Sequence, residues 1–310
     1  MTREEAEPEA PVLRKALVLG SAAGGGFPQW NCGCRLCRLV RLADPRVRAA
    51  TQASVAVTGD GSSWVLIGAS PDLRQQLVQT PALWPRSDGR DSPVAGVVLI
   101  GGDIDAIAGL LVLRERQSFT IYAPVALLSV LAENDVFGVL DRELVRRVEV
   151  APMQPTPCAG GLVLTLLPMP GKVPLYRETP GATVAEAGPT YAALLQAGER
   201  RAIVAPACAR ITEAERAMFR ETDVLFIDGT LFTNDEMIAA GLSEKTGTRM
   251  GHVPISGPDG TLARLADLPC RRILLHINNT NPILLSDSAE RRQVEAAGFE
   301  VAFDGMEIPL

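Results

Sequence analysis

Four short apolar runs, each closing on a small or polar residue, limit most strongly how this chain folds. Ala16-Leu-Val-Leu19 runs into Gly20, and Val97-Val-Leu-Ile100 into Gly101-Gly-Asp103. Asp223-Val-Leu-Phe-Ile227 ends at Asp228, and Arg272-Ile-Leu-Leu275 ends at His276. Unbroken runs of this length read as mostly buried strands with turn chemistry at their C-terminal ends. Segments 54–57, 64–67, 119–122, 162–167, 191–195 and 201–204 also read as strands. Helical patterns lie between them. Asp105 is placed to cap a helix over 107–114 with Arg114 and Arg116 at its cationic end. Helices are expected at 212–220 and 288–297, the second stopped by Gly298. About a dozen strands and five or six helices make a mixed α/β protein with helices outside the sheets.

With 310 residues, 47% of them hydrophobic, the chain has material for one large core. No internal repeat and no linker divides it. The expectation is one domain over 14–310, preceded by a disordered acidic tail over 1–13. That tail lacks the apolar stretch of a secretory signal, and no run approaches the roughly 18 apolar residues of a membrane span. A cytoplasmic location follows as an expectation. The net charge of −6 excludes a general nucleic-acid binder, which needs a basic surface to displace counterions.

Chemistry-bearing residues fall into two groups. Cys32-Gly-Cys34-Arg-Leu-Cys37 puts three thiols in one loop, at a spacing that wraps a tetrahedral zinc ion and leaves a fourth position for a distant ligand. Such a closed site is structural. Cys270, Cys208, an Asp or a His all remain open as its fourth ligand. The second group lies at strand ends: Asp103 and Asp105, then Asp228, then His276, with His252 in Arg249-Met-Gly-His252. Two imidazoles and a carboxylate are the set that non-haem Fe(II) oxygenases use. His252 and His276 are the only histidines in the chain, so any mechanism needing three imidazoles is excluded. The glycine-rich stretch 20–26 lacks both dinucleotide and P-loop registers and is expected to serve a close backbone approach beside the cysteine loop. No G-x-S-x-G elbow supports serine catalysis, and nothing supports Cys208 as a nucleophile.

Leu19-Gly-Ser-Ala-Ala-Gly-Gly-Gly-Phe-Pro-Gln-Trp-Asn-Cys32 resembles the N-terminal signature of the PqqB family. So do Pro170-Gly-Lys-Val-Pro-Leu175, Phe226-Ile-Asp-Gly-Thr-Leu231, Lys245-Thr-Gly-Thr-Arg-Met-Gly-His252 and His276-Ile-Asn-Asn-Thr-Asn-Pro282. The resemblance runs from about residue 17 to the C-terminus. It implies a metallo-β-lactamase-like four-layer αββα sandwich and a part in making pyrroloquinoline quinone (PQQ) from a precursor peptide. It further implies iron- and O₂-dependent hydroxylation of a tyrosyl ring in the excised Glu-Tyr unit. An alternative is a non-catalytic carrier or scaffold for PQQ or its precursor.

The wider superfamily carries H-x-H-x-D-H after a strand, and the PqqB family keeps its final Asp-His. Here the stretch reads Gly101-Gly-Asp103-Ile-Asp105-Ala106, so Asp105 carries over and the histidine does not. Ala53, Gly68 and Ala207 are likewise small where the family pattern is different. On this reading Asp105, Asp228 and His276 hold the active-site metal, with His252 and Lys172 beside them in the catalytic set. Arg249, Asn278 and Asn279 contact substrate, and Cys32, Cys34 and Cys37 hold structural zinc. Expected partners are a small tyrosine-derived peptide or PQQ precursor and other proteins of the pathway. A two-metal hydrolase would need more nitrogen ligands than the chain has.

Overall fold

The computed structural model describes residues 15–179 and 184–310; the tail expected over 1–13 lies outside them. Fourteen strands follow one another along the described residues. They are β1 (Lys15–Gly20), β2 (Ser54–Thr58), β3 (Trp64–Ile67), β4 (Val94–Val98), β5 (Phe119–Ala123), β6 (Val145–Glu149) and β7 (Thr156–Pro157). After these come β8 (Val163–Gly171), β9 (Ala185–Ala197), β10 (Arg200–Ala205), β11 (Val224–Asp228), β12 (Arg271–Leu275), β13 (Phe299–Val301) and β14 (Glu307–Pro309). They form two seven-stranded sheets, ordered β14-β1-β2-β3-β4-β5-β6 and β13-β12-β11-β10-β9-β8-β7.

Each sheet is antiparallel on one side and parallel on the other. Pairings among β14, β1, β2 and β3 are antiparallel, and those from β3 through β6 are parallel. In the second sheet β10 through β13 are parallel, whereas β7, β8, β9 and β10 pair antiparallel. The chain's end returns as β14 beside β1, tying the C-terminus into the first sheet.

Residue alternation explains why the strands read as unbroken apolar runs. Val55 and Val57 point into a core shared by both sheets, whereas Ala56 points to an outer core under helices. In β11, Val224 and Phe226 face inward, while Leu225 and Ile227 meet the helical layer on the other side. Both faces are dry, so both are apolar. Phe226 is fully buried between the sheets, where truncation to Ala costs about 3–5 kcal/mol. Helices Glu213–Arg220, Thr261–Leu265 and Ala289–Ala296 cover the second sheet, and Leu73–Gln79 and Val125–Glu133 accompany the first. The layers therefore run helix, sheet, sheet, helix.

Local signals shaped these helices as the sequence suggests. Thr212 and Glu215 form a reciprocal capping box, and Ser288 caps Ala289–Ala296, which Gly298 ends at φ +78°. The stretch after β4 departs from expectation. Its helix begins earlier, at Ile104–Ile107, and continues as a 3-10 turn over Ala108–Leu113. Asp103 occupies the cap position, so Asp105 lies inside the first turn and does not cap it. Gly109 is pressed so close to Ser70 that an added Cβ would stand 2.1 Å from its carbonyl oxygen. No helix among the described residues is long and apolar enough to cross a membrane.

Candidate metal centres and the cavity beside them

The cysteine loop builds its cluster through the start of a helix. Cys34 is the N-cap of Arg35–Arg41, and its sulfur accepts from the Cys37 backbone N–H. The sulfurs of Cys32, Cys34 and Cys37 lie within 4.8 Å of one another. Burial and the neighbouring thiols push Cys34 up to about 11. Burial acts the same way on Cys32, but N–H, thiol and amide donors outweigh it and hold Cys32 below its ordinary value. Three crowded thiols that share one favoured thiolate are a set that a soft cation suits.

The fourth direction is filled by neither Cys208 nor Cys270, which belong to the outer core of the second sheet. Asn279 fills it. Its side-chain Nδ2 stands 3.1 Å from Cys32 Sγ, 3.3 Å from Cys37 Sγ and 3.7 Å from Cys34 Sγ. Amide O and N are interchangeable in shape, and turning the amide over aims Oδ1 at all three sulfurs. Asn279, expected to contact substrate, lies against the three thiols and does not line the cavity beside the second centre. Its neighbour Asn278 does line the cavity, with Nδ2 donating to Thr280 Oγ1 at 2.6 Å.

The second centre arises because β11 and β12 are parallel neighbours. Their register pairs Asp228 with Leu275, so Asp228 and the next residue, His276, emerge at one edge. His276 has φ +61°, a left-handed conformation that costs a non-glycine residue about 1–2 kcal/mol. Flanking ties hold it there: Ile277 N–H donates to Ser21 O, and Gly229 N–H to Leu275 O. His252 arrives from the loop after Thr248–Met250, and the two rings stack with centroids 5.1 Å apart.

Thr230 is the hub, a residue the sequence reading missed. Its hydroxyl lies 2.6 Å from Asp228 Oδ1, 3.0 Å from His252 Nδ1 and 2.9 Å from His276 Nδ1. A carboxylate only accepts, so the hydroxyl proton goes to Asp228, the His276 Nδ1–H donates to Thr230, and the His252 Nδ1–H is shared between Thr230 and Asp228 Oδ2. Asp228 Oδ2 accepts from the Cys208 N–H and from His252 Nδ1, and Oδ1 also accepts from the Thr230 N–H. Asp228 is fully buried with every lone pair engaged. It lies within ligand reach of both histidines, but its hydrogen bonds fix imidazole tautomers.

With Nδ1 protonated, each imidazole keeps a lone pair on Nε2. His276 Nε2 then faces Asp105 Oδ2 at 3.1 Å, two acceptors meeting across a gap. Such a pair requires a proton or a cation between its members. Burial opposes the imidazolium, but Asp105, helped by Asp228 and Asp103, outweighs it and raises His276 above its ordinary value. Burial likewise opposes the Asp105 carboxylate, and His276 and His252 hold it below the usual range. The donor set fits a divalent metal. The glycine-rich stretch makes its close approach here rather than to the thiols: a Cβ on Gly24 would stand 3.2 Å from Asp105 Oδ2.

Around this centre lies a cavity of about 570 Å³, within the usual range of small-molecule sites. Ile67, Ile100, Tyr191, Val204, Leu231 and Met250 give it an apolar wall. Ala53, Gly68, Ala106 and Ala207 line it, whereas Ala50, which also stands in the stretch 50–54 that differs from the resembled pattern, does not. Lys172 lines it too, its stem passing over Gly251 and its Nζ 3.8 Å from Asp103 Oδ1. Arg249 does not reach the cavity itself. It meets the lining through Glu178, whose carboxylate touches both Arg249 Nη2 at 2.7 Å and Lys245 Nζ at 3.0 Å. Glu178 and Lys245 were not legible as site residues, since each looks like an ordinary surface charge in its sequence window.

Comparison with known proteins agrees with this architecture. A β-lactamase superfamily domain model matches residues 63–277. Coenzyme PQQ synthesis protein B of Gluconacetobacter diazotrophicus is 50% identical over 301 residues, covering 94% of this chain and 98% of its own. That of Methylobacterium nodulans is 49% identical, covering 96% and 100%. The crystal structure of Zn²⁺-bound PqqB from Methylobacterium extorquens superposes with a TM-score of 0.92 at 45% identity, covering 96% of this chain and 100% of that one. A diphosphatase from the PhnP family shares the fold at a TM-score of 0.68 and 21% identity, covering 96% of each chain. Sheets, thiol cluster and strand-end centre thus belong to a chain that is a member of the coenzyme PQQ synthesis protein B family, within the β-lactamase superfamily.

Proposed function

We propose that this chain acts in PQQ biosynthesis as an iron- and O₂-dependent hydroxylase of a tyrosyl ring in a small peptide-derived intermediate. The observation that carries the reading is the acceptor pair Asp105 Oδ2 and His276 Nε2, 3.1 Å apart beside an apolar cavity. Asp105, His276 and His252 would hold the metal, the two-histidine, one-carboxylate set of Fe(II) oxygenases. Bound there, iron supplies O₂ binding and activation. Asp228 and Thr230 keep both imidazoles in the Nδ1–H form. The apolar wall receives an aromatic ring and excludes water from it. Lys172 supplies positive charge near the ring's polar end. Zinc at Cys32, Cys34 and Cys37 braces the loop without entering the reaction, in keeping with the zinc named for the M. extorquens protein.

The test is metal stoichiometry after anaerobic Fe(II) loading, for the native chain and His276→Ala. Zinc plus iron, with only the iron lost in the variant, is the expected result and justifies assaying Glu-Tyr compounds for ring hydroxylation. Zinc without site-specific iron would overturn the oxygenase reading. The second reading is then the carrier of PQQ or its precursor, and Ala106 is the observation that favours it.

A further inference from the structure

We propose that Lys245 and Arg249 form a carboxylate-binding cradle, which Glu178 fills in the resting protein and a carboxylate of the substrate takes over. The inference rests on the cavity being the substrate site. Glu178 follows the short turn Leu175–Arg177 and lines the cavity, yet its side chain is only 9% exposed. Its carboxylate meets two cations from a different segment, Lys245 Nζ at 3.0 Å and Arg249 Nη2 at 2.7 Å. Those cations stand on the stretch that leads into His252, so the cradle shares a loop with an imidazole of the strand-end centre.

Glu178 is an imperfect occupant. Its Oε1 touches Arg249 without hydrogen-bond alignment, and both Oε1 and Arg249 Nη1 are buried with no hydrogen-bond partner. A buried guanidinium nitrogen left unsatisfied is costly, and the fork of Arg favours a carboxylate that engages it through two parallel bonds. A ligand carboxylate free of the constraints of the 175–178 turn can take that alignment. Lys172 does not compete for it, because it is paired with Asp103. Glu178 offsets one of the cradle's two positive charges while the cavity is empty of substrate, and it taxes binding by the fraction of time that it holds the cations.

The cradle is tested on the full zinc-replete chain without iron, by calorimetric titration with L-glutamyl-L-tyrosine and L-glutamyl-L-alanine. Glu178→Gln removes the internal carboxylate and is expected to tighten both dipeptides by about tenfold. Arg249→Gln, alone or on that background, is expected to weaken both by roughly tenfold. Unchanged or weaker binding in Glu178→Gln, undiminished binding in Arg249→Gln, or no detectable binding in native and Glu178→Gln chains alike overturns the cradle. The two dipeptides separate this inference from the reading it rests on. Tightening of both with no preference for the tyrosyl compound upholds the cradle and sinks the tyrosyl substrate. Tighter binding of the tyrosyl compound than of the alanyl one, with both affinities unchanged by Glu178→Gln, does the reverse.

Discussion

Asp105 Oδ2 stands 3.1 Å from His276 Nε2, although the two residues are 171 positions apart and follow strands of different sheets. The contact spans the edge where the sheets face each other, so packing of the whole sandwich sets its geometry. Asp105→Asn keeps the shape and removes the charge. It is expected to lower Fe(II) affinity by about 10–100-fold while zinc content stays unchanged. Metal analysis after chelator challenge checks both halves, and equal loss of the two metals would show that the centres are not separate.

Thr230→Val removes the hydroxyl that joins Asp228 to both imidazoles. Asp228 is buried, so its lost partner costs about 1–3 kcal/mol of stability. His276 loses the partner that fixes its tautomer, while His252 keeps Asp228, and iron affinity is expected to fall with the loss. Thr230→Ser restores both properties. Urea denaturation reads the first effect and metal retention the second. A Val variant that unfolds earlier yet keeps its iron would reduce Thr230 to a packing residue.

Much of this was legible in the sequence because burial on two faces leaves a plain signature. β11 and β12 carry no polar interruption, and their ends announce Asp228 and His276. β6 was not legible. Its Val-Arg-Arg-Val-Glu run is an edge strand whose Arg146 and Glu149 stay in solvent and guard the open edge, while Arg147 reaches back to the Phe137 carbonyl. Asp105 looked like a helix cap because an Asp before an apolar run usually is one. The resemblance already gave Asp105 a second role as a metal ligand, and the second sheet brings His276 to its carboxylate. Asn279 is placed by a fold-back of 247 residues onto Cys32, a relationship that no local window contains.

Asn279 gives the zinc site its own test. Asn279→Ala is expected to release zinc to a chelator about 10–100-fold faster, whereas Asn279→Asp, which offers an oxygen in the same place, retains it. Iron bound at the strand-end centre is unaffected in the Asp variant. Equal zinc retention in the Ala variant would mean that the amide only hydrogen-bonds the thiolates.

Acid stability should carry a mark of Asp60. Burial pulls its pKa upward, but the N–H groups of Ser62 and Ser63 outweigh it and hold Asp60 at about 2, against an ordinary 3.8. A folded pKa below the unfolded one gives stability that is present above 3.8 and lost as pH falls toward 2. Asp60→Asn is therefore expected to flatten that part of the curve. Its cost at neutral pH stays below about 1 kcal/mol, since the turn is largely open to solvent. Thermal unfolding between pH 2 and 7 compares the two chains, and parallel curves would assign the acid loss to other carboxylates.

Ala106 decides between enzyme and carrier. It follows Asp105 on Ile104–Ile107, lines the cavity, and is held by Ala106 N–H donating to Asp103 O and Ala106 O accepting from Ala69 N–H. The backbone is thus fixed, and a larger side chain there enters the cavity without moving Asp105. Ala106→His adds a third imidazole to a centre that has two. If the centre is a weakened oxygenase, iron affinity rises by about 10–100-fold and tyrosyl hydroxylation rises with it. Tighter iron without faster hydroxylation would mean that metal supply does not limit the reaction, and the cavity itself would be at fault. If neither changes, the position is not poised toward the metal, and the small residues lining the cavity serve the bulk of a carried ligand.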